Sequence, residues 1–299
     1  MSAAIIKDGL FDRVALIGVG LIGSSLARVL RRDSPQTLII ACARRAETLE
    51  AVRRLNLADE TTDDPAAAVA DADLVVLATP LSAYAEIGRR IAPALRPGAI
   101  VTDVGSVKGA VIRDLAPLLP AHIHFVPGHP VAGTEHSGPE AGFAELFLDR
   151  WCILTPPRDT APEAVAKITA LWEGAGMRVV TMEAEHHDRV MAVTSHLPHL
   201  IAYTIVGTAT ELGQDLHSEV VAYSAGGFRD FTRIAASDPV MWRDIFLENR
   251  EAVLELLQRF SEDLTGLQHA IRRGDGETLH KWFTRTRAIR RSIIEAKQA

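Results

Sequence analysis

The chain has 299 residues, 47% hydrophobic and 23% charged, with 38 Asp and Glu against 32 Lys and Arg for a formal net charge of −6. At about 150 residues per domain, that length suggests two domains, each large enough to bury a core without disulfide or metal support. The composition excludes a disordered chain, a collagen-like repeat and a low-complexity scaffold, and the negative charge offers no basic footprint for nucleic acid.

Met1 to Asp12 carries Lys7, Asp8 and Asp12 and lacks the apolar run of a secretory signal. Arg13 to Ile17 is a short apolar, partly β-branched run that breaks at Gly18, and Leu21 to Leu30 follows at helical spacing. The alternation repeats. Leu38 to Ala41 precedes a polar helix, Leu74 to Leu77 precedes Ser82 to Ile91, and Ala99 to Val101 precedes Val107 to Leu119. His124 to Val126, Cys152 to Leu154 and Met177 to Val180 complete the predicted strands. Fully apolar strands alternating with helices predict an α/β fold with a parallel sheet covered on both faces. The two cysteines, Cys42 and Cys152, are too few for a disulfide framework or a cysteine zinc site and fit a reducing cytoplasm.

From about Glu185 the strand signals stop, which places a domain boundary between 184 and 185. Val190 to Thr210 contains no Asp, Glu, Lys or Arg. A membrane span needs ~20 mostly apolar residues, but this stretch carries His196, Pro198, His199 and several hydroxyls. It is expected to be a helix buried within the protein or at a subunit interface. Asp238-Pro239 reads as an N-cap followed by proline at the first helical position. Val253, Leu257, Phe260, Leu264, Leu267 and Ile271 then form an apolar stripe along one helix. The expected domains are residues 1–184, α/β, and residues 185–299, all helical.

Gly18-Val19-Gly20-Leu21-Ile22-Gly23 is a GxGxxG turn between a predicted strand and helix. Its first glycine allows the tight turn, its second lets backbone approach a pyrophosphate, and its third lets helix and strand pack closely. This points to a Rossmann-type dinucleotide site at Gly18, Gly20, Leu21, Ile22 and Gly23. About 20 residues on, NAD-binding chains usually place an acid for the ribose hydroxyls. Here the sequence is Ala41-Cys42-Ala43-Arg44-Arg45. A carboxylate would repel a 2′-phosphate, whereas Arg44 and Arg45 can pair with one, so NADP is the expected cofactor, with NAD possible. The carboxyl ends of the strands further nominate Thr79, Pro80, Asp103, Ser106 and His129 as the rim of one crevice.

The segment Pro127-Gly128-His129-Pro130-Val131-Ala132-Gly133-Thr134-Glu135-His136-Ser137-Gly138 resembles the signature of the prephenate and arogenate dehydrogenases of tyrosine biosynthesis. Asp103 to Lys108, Ser195 to His199, Gly226 to Arg233 and Ser237 to Trp242 add four further matches in the same order. One departure is the acid missing near Ala43. The resemblance implies a Rossmann domain followed by a helical dimerisation domain, and oxidative decarboxylation of a cyclohexadienyl ring with hydride transfer to a nicotinamide. It implies His129 as acceptor of the ring-hydroxyl proton, a role that an imidazole pKa near ~6.5 suits, with Ser106 bonding nearby. It further implies Arg233 on a substrate carboxylate, with Ser195, His199, Thr134 and Glu135 around the substrate. A homodimer is implied, and no metal is needed because aromatisation drives the reaction. No regulatory domain of the kind some relatives append is seen after the helices, so feedback by tyrosine would act at the active site. Two rival readings are another NADP-dependent dehydrogenase of the same architecture and a non-catalytic dinucleotide-binding regulator.

Overall fold

The protein is described from a computed structural model, covering Ile6, residues 9–211 and residues 226–295. Contacts divide it into two compact units, Met1–Arg250 and Glu251–Ala299.

The first unit is built on a six-stranded sheet of β1 (Arg13–Ile17), β2 (Leu38–Cys42), β3 (Glu60–Thr62), β4 (Leu74–Leu77), β5 (Ile100–Asp103) and β6 (His124–Val126). Their order is β3-β2-β1-β4-β5-β6, and every pairing is parallel. Alternate residues of one strand serve opposite faces. Val14 and Leu16 enter one buried cluster, and Ala15 and Ile17 enter the other. Helices α1 (Leu21–Asp33), α2 (Ala46–Arg54), α3 (Pro65–Val69), α4 (Tyr84–Ile91) and α5 (Lys108–Leu115) connect the strands. This is the doubly covered parallel sheet that the apolar strands predict.

The remaining strands depart from that expectation. Trp151–Leu154 (β8) and Arg178–Thr181 (β9) do not extend the parallel sheet but form a second one with Gly128–Val131 (β7), in the order β7-β8-β9. β7 runs antiparallel to β8, and β9 runs parallel to it. Only Pro127 separates β6 from β7, so the chain passes from one sheet to the other within a single residue. Pro130 lies on an edge strand of the second sheet, where a missing N–H is tolerated. Helix α6 (Pro162–Gly174) joins β8 to β9.

No strand follows β9 among the described residues. Helix α7 (Ala184–Met191) packs on α5 and runs through a π-helical turn, Ala192–His196, into α8 (Leu197–Glu211). Pro198 explains the turn. It has no N–H for the Thr194 carbonyl, and its ring crowds that position, so the helix widens ahead of it. The run Ala184–Ala209 is long and apolar enough to cross a membrane by length and composition, yet only 22% of its most apolar window is buried. The expectation that it is buried by its own chain is therefore corrected, and Val193 and Ile205 stand exposed.

Helix α9 (Gly226–Thr232) precedes α10 (Pro239–Glu248), whose Asp238 cap accepts from Met241 N at 2.9 Å. Trp242 and Ile245 of α10 enter the cluster that holds Leu81 and Tyr84, so the compact unit runs on past residue 184. The second unit consists of α11 (Arg250–Arg273), apart from its first residue, and α12 (Gly276–Glu295). On these helices Val253 and Ala270 are buried, whereas Leu254, Leu264, Ile271, Phe283 and Ile289 are exposed.

Candidate active site

Each glycine of the turn after β1 has its own reason. Gly18 adopts φ +94°, and a Cβ there would lie 2.5 Å from the Ala78 carbonyl oxygen. A Cβ on Gly23 would strike the Gly18 carbonyl oxygen, whereas one on Gly20 would meet nothing within 4 Å. The first and third glycines therefore serve packing, and the second leaves space for a ligand. The first turn of α1 has no acidic residue and no side-chain cap, so its N–H groups are left to attract an anion. Leu21 and Ile22 are half-buried against the core. At the neighbouring strand end Thr79 Oγ1 is buried without a protein partner, and Pro80 beside it is exposed. An open glycine, free helix amides and an orphaned hydroxyl fit a dinucleotide. Past β2, Arg44 and Arg45 are exposed, and neither guanidinium is ion-paired among the described residues. Asp103 does not belong on this rim. It is fully buried, bonded to Lys108 Nζ at 2.6 Å and to Gly105 N at 2.7 Å, and its carboxylate has no path to a cofactor.

His129 lies on β7, 8% exposed, with Nδ1 2.8 Å from His187 Nε2. His187 Nδ1 in turn lies 2.8 Å from Asp188 Oδ1. Asp188 also accepts the Lys108 and Gly109 backbone N–H groups at 2.7 and 2.8 Å, so α5 presents its N-terminus to the carboxylate. The tautomers follow. A carboxylate accepts only, so His187 carries its proton on Nδ1 and offers a lone pair at Nε2. His129 must then donate from Nδ1, and its own Nε2 is left as a bare acceptor. Burial, with the charges of His187 and Lys108, holds the His129 pKa well below the usual imidazole value. Burial lowers His187 as well, against the opposing bond to Asp188. Near neutral pH the pair is uncharged and ready to take a proton.

Lys108 fixes the strand that carries this base. Its buried ammonium bonds Asp103 and, at 2.6 Å, the Gly128 carbonyl, while Gly128 N donates to Asp103 Oδ1 at 3.1 Å. Burial lowers the Lys108 pKa, and Asp103 opposes the shift. Tyr84 completes the cluster, its hydroxyl 3.3 Å from Asp103.

The expected substrate residues gather less tightly. Arg233 bonds Glu135 at 3.0 Å across an exposed pair. His199 Nδ1 donates to the Ser195 carbonyl at 2.9 Å, one helical turn back, and its ring stacks on Trp242 with centroids 3.6 Å apart. Thr134 is exposed, and its hydroxyl accepts from His136 N at 3.2 Å. Ser106 is half-buried and forms no hydrogen bond with His129, whose ring partner is His187. Sequence reasoning missed His187, Asp188 and Lys108 as parts of this site. The His186-His187-Asp188 run was the available signal, a carboxylate beside paired histidines. Among the described residues no group of three or more His, Cys, Asp or Glu could hold a metal ion.

Residues 26–181 match the family described as "Prephenate dehydrogenase, nucleotide-binding domain", and residues 183–285 match "Prephenate dehydrogenase, dimerization domain". The chain is 45% identical over 283 residues to the cyclohexadienyl dehydrogenase of Zymomonas mobilis, covering 95% of this chain and 96% of that one. It is 34% identical to the prephenate dehydrogenase of Bacillus subtilis, covering 91% and 73%. Among solved structures, prephenate dehydrogenase from A. aeolicus in complex with hydroxyphenyl propionate and NAD+ superposes with a TM-score of 0.87 at 36% identity, covering 94% and 98%. Synechocystis arogenate dehydrogenase gives 0.77 at 30% identity, covering 94% and 99%.

Proposed function

The chain belongs to the prephenate dehydrogenase family, and on that premise we propose that it oxidatively decarboxylates prephenate, arogenate or both. A nicotinamide cofactor, when bound, supplies the hydride acceptor. The protein's own work is to position the ring and to manage one proton. The bare Nε2 of His129 receives the hydrogen bond of the ring hydroxyl and takes its proton as the C–O bond gains carbonyl character. His187 and Asp188 hold that imidazole in register and stabilise the positive charge it acquires. The carboxylate leaves the ring as carbon dioxide, its bonding electrons complete the aromatic ring, and the proton returns to the phenol oxygen. The observation that carries this reading is the neutral, oriented His129 on the strand that follows β6. Arg233 is the cation for a substrate carboxylate, and it must exchange its contact with Glu135 to serve.

NADP is the cofactor we favour, because Arg44 and Arg45 follow β2 unpaired where an acid would select NAD. Pairing of two chains through the helical segments fits the match to a dimerization domain and the exposed Leu254, Leu264, Ile271, Phe283 and Ile289. A cytosolic setting fits two cysteines that are free and buried. Purified protein offered prephenate and arogenate, each with NAD and NADP, tests the reading, and cofactor reduction in none of the four mixtures overturns it. The double variant R44S/R45S is expected to raise the KM for NADP by about tenfold or more while sparing NAD, as loss of charge-assisted phosphate bonds requires. Equal effects on both cofactors would reject the assignment to NADP.

A further inference from the structure

Asp103 takes no part in the steps above, yet its two oxygens serve two different segments. It ends β5 with no exposed surface. Oδ2 accepts the Gly105 N–H at 2.7 Å, and Oδ1 accepts the Gly128 N–H at 3.1 Å. Each anchored glycine precedes a residue assigned to the reaction, Ser106 in the turn before α5 and His129 on β7.

The ladder of the small sheet explains why Gly128 needs such an anchor. Thr155 N donates to the Pro127 carbonyl at 2.9 Å, and the register sets Gly128 opposite Leu154. Hydrogen-bonded and non-hydrogen-bonded pairs alternate in an antiparallel ladder, so the N–H and C=O of Gly128 point away from β8. β7 is an edge strand of its sheet, and on that side the buried ion pair takes the place of a neighbouring strand. The carboxylate accepts from Gly128 N, and the Lys108 ammonium donates to the Gly128 carbonyl at 2.6 Å. The other ammonium hydrogens go to Asp103 at 2.6 and 2.8 Å, which leaves Lys108 none for a ligand. Both glycines sit close to this carboxylate's own residue. A Cβ on Gly105 would lie 2.9 Å from Asp103 Oδ2, and one on Gly128 would lie 3.2 Å from the Asp103 carbonyl oxygen.

Asp188 closes the frame from the opposite side. It accepts the Lys108 N–H at the far end of the turn that begins at Gly105, and it orients His187, which meets the His129 ring. Ser106 therefore lies between two anchored amides, and His129 has both its preceding backbone and its ring held.

We propose that Asp103 is a positioning residue for the reaction: through Gly105 and Gly128 it sets the separation and facing of Ser106 and His129, with Lys108 as the counter-ion that keeps it there. The assignment rests on the function proposed above. A carboxylate suits the task because its oxygens accept from both amides at once. An amide side chain of the same shape offers one acceptor and one NH2, and that NH2 confronts one of the two N–H groups.

Three variants test this. Asp103→Asn removes one of the two acceptors. Asp103→Asn/Lys108→Met also removes the ammonium, so no unpaired buried charge is left to unfold the chain. Gly128→Ala leaves the ion pair intact and pushes β7 away from β5 by a few tenths of an ångström. Cofactor reduction is measured below each melting temperature, with whichever of prephenate and arogenate the wild type oxidises, and kcat is separated from KM. A displacement of about 1 Å at a reacting group costs about 10² in rate. The two charge variants are therefore expected to lose about 10² in kcat per folded molecule, and G128A about tenfold. Both KM values should stay within about threefold, because no group that touches either ligand is removed. A charge variant that melts earlier yet keeps kcat within about threefold overturns the proposal, since the ion pair would then serve stability alone. Full kcat in G128A beside a loss in the charge variants assigns the effect to the field of Asp103 and overturns it as well. A loss confined to either KM does the same. If D103N does not fold, the double variant and G128A make the comparison. A wild-type protein that reduces no cofactor with prephenate or arogenate would strike the proposed function instead.

Discussion

Asp188→Asn removes one charge and alters almost no volume, which makes it a clean probe of the His129–His187–Asp188 relay. In the native protein two backbone N–H groups and one imidazole N–H converge on the carboxylate at 2.7 to 2.8 Å. An amide cannot accept all three. If its oxygen faces Lys108 N and His187, its NH2 confronts the Gly109 N–H. If it turns over, the NH2 confronts Lys108 N and drives His187 into the other tautomer, which places a proton on the Nε2 of His129. Each orientation leaves one buried donor unpaired, so stability should fall by about 1–3 kcal/mol. With the two orientations near balance, the wrong tautomer alone reduces rate only a few-fold. The lost charge matters more. Asp188 is roughly 8 Å from the His129 Nδ1, and at an effective dielectric of about 20 that is ~2 kcal/mol, or ~30-fold in stabilising the imidazolium. Together these give a fall in kcat of about 10² with KM nearly unchanged. Steady-state reduction of the cofactor, with a denaturant titration to confirm folding, measures both. A folded variant whose kcat stays within about threefold of wild type would refute the relay.

Two further outcomes follow from the same geometry. Gly20→Val places a side chain in open space, so the melting temperature should hold while the KM for the cofactor rises by about tenfold or more; an unchanged KM would mean that no phosphate approaches there. Buried His196 has a native pKa of about 4 against an ordinary 6.5, so the unfolded chain binds the proton first as pH falls. Its contribution therefore destabilises the native state progressively from about pH 6.5 to about pH 4, by ~3 kcal/mol in all, and has no effect above that window. His129 and His187 shift in the same direction and add to the loss. Denaturant midpoints across that range check it, and in H196F the slope should lessen.

Much of this was legible in the sequence because the signals are local. A β-branched run ending at Gly18 yields β1 and its turn, and Asp238-Pro239 gives the start of α10. What escaped lacks such marks. Strand β3, Glu60–Thr62, is a polar edge with no apolar alternation to reveal it. Gly128-His129-Pro130 looks like a loop because glycine and proline weaken strand propensity, and only pairing with β8 makes it β7. Asp103 looked like a rim residue because it ends β5, but the lysine five positions on folds back onto it. His187 and Asp188 resembled an ordinary polar stretch of helix, and their importance appears only when α7 meets α5 and β7. The resemblance singles out His129 but not His187 and Asp188, which hold it.

The single-residue passage from β6 to β7 has a consequence for how the enzyme fails on heating. Gly128 is tied through both its N–H and its carbonyl to the Asp103–Lys108 pair of the large sheet, although its strand belongs to the small one. Partial detachment of the small sheet must break those two bonds and take His129 out of alignment while the dinucleotide half stays folded. Local opening of this kind needs less free energy than global unfolding. Activity should accordingly disappear at a lower temperature than bulk helical structure does, with the cofactor still held by a protein in which the proposed base, His129, is already out of place.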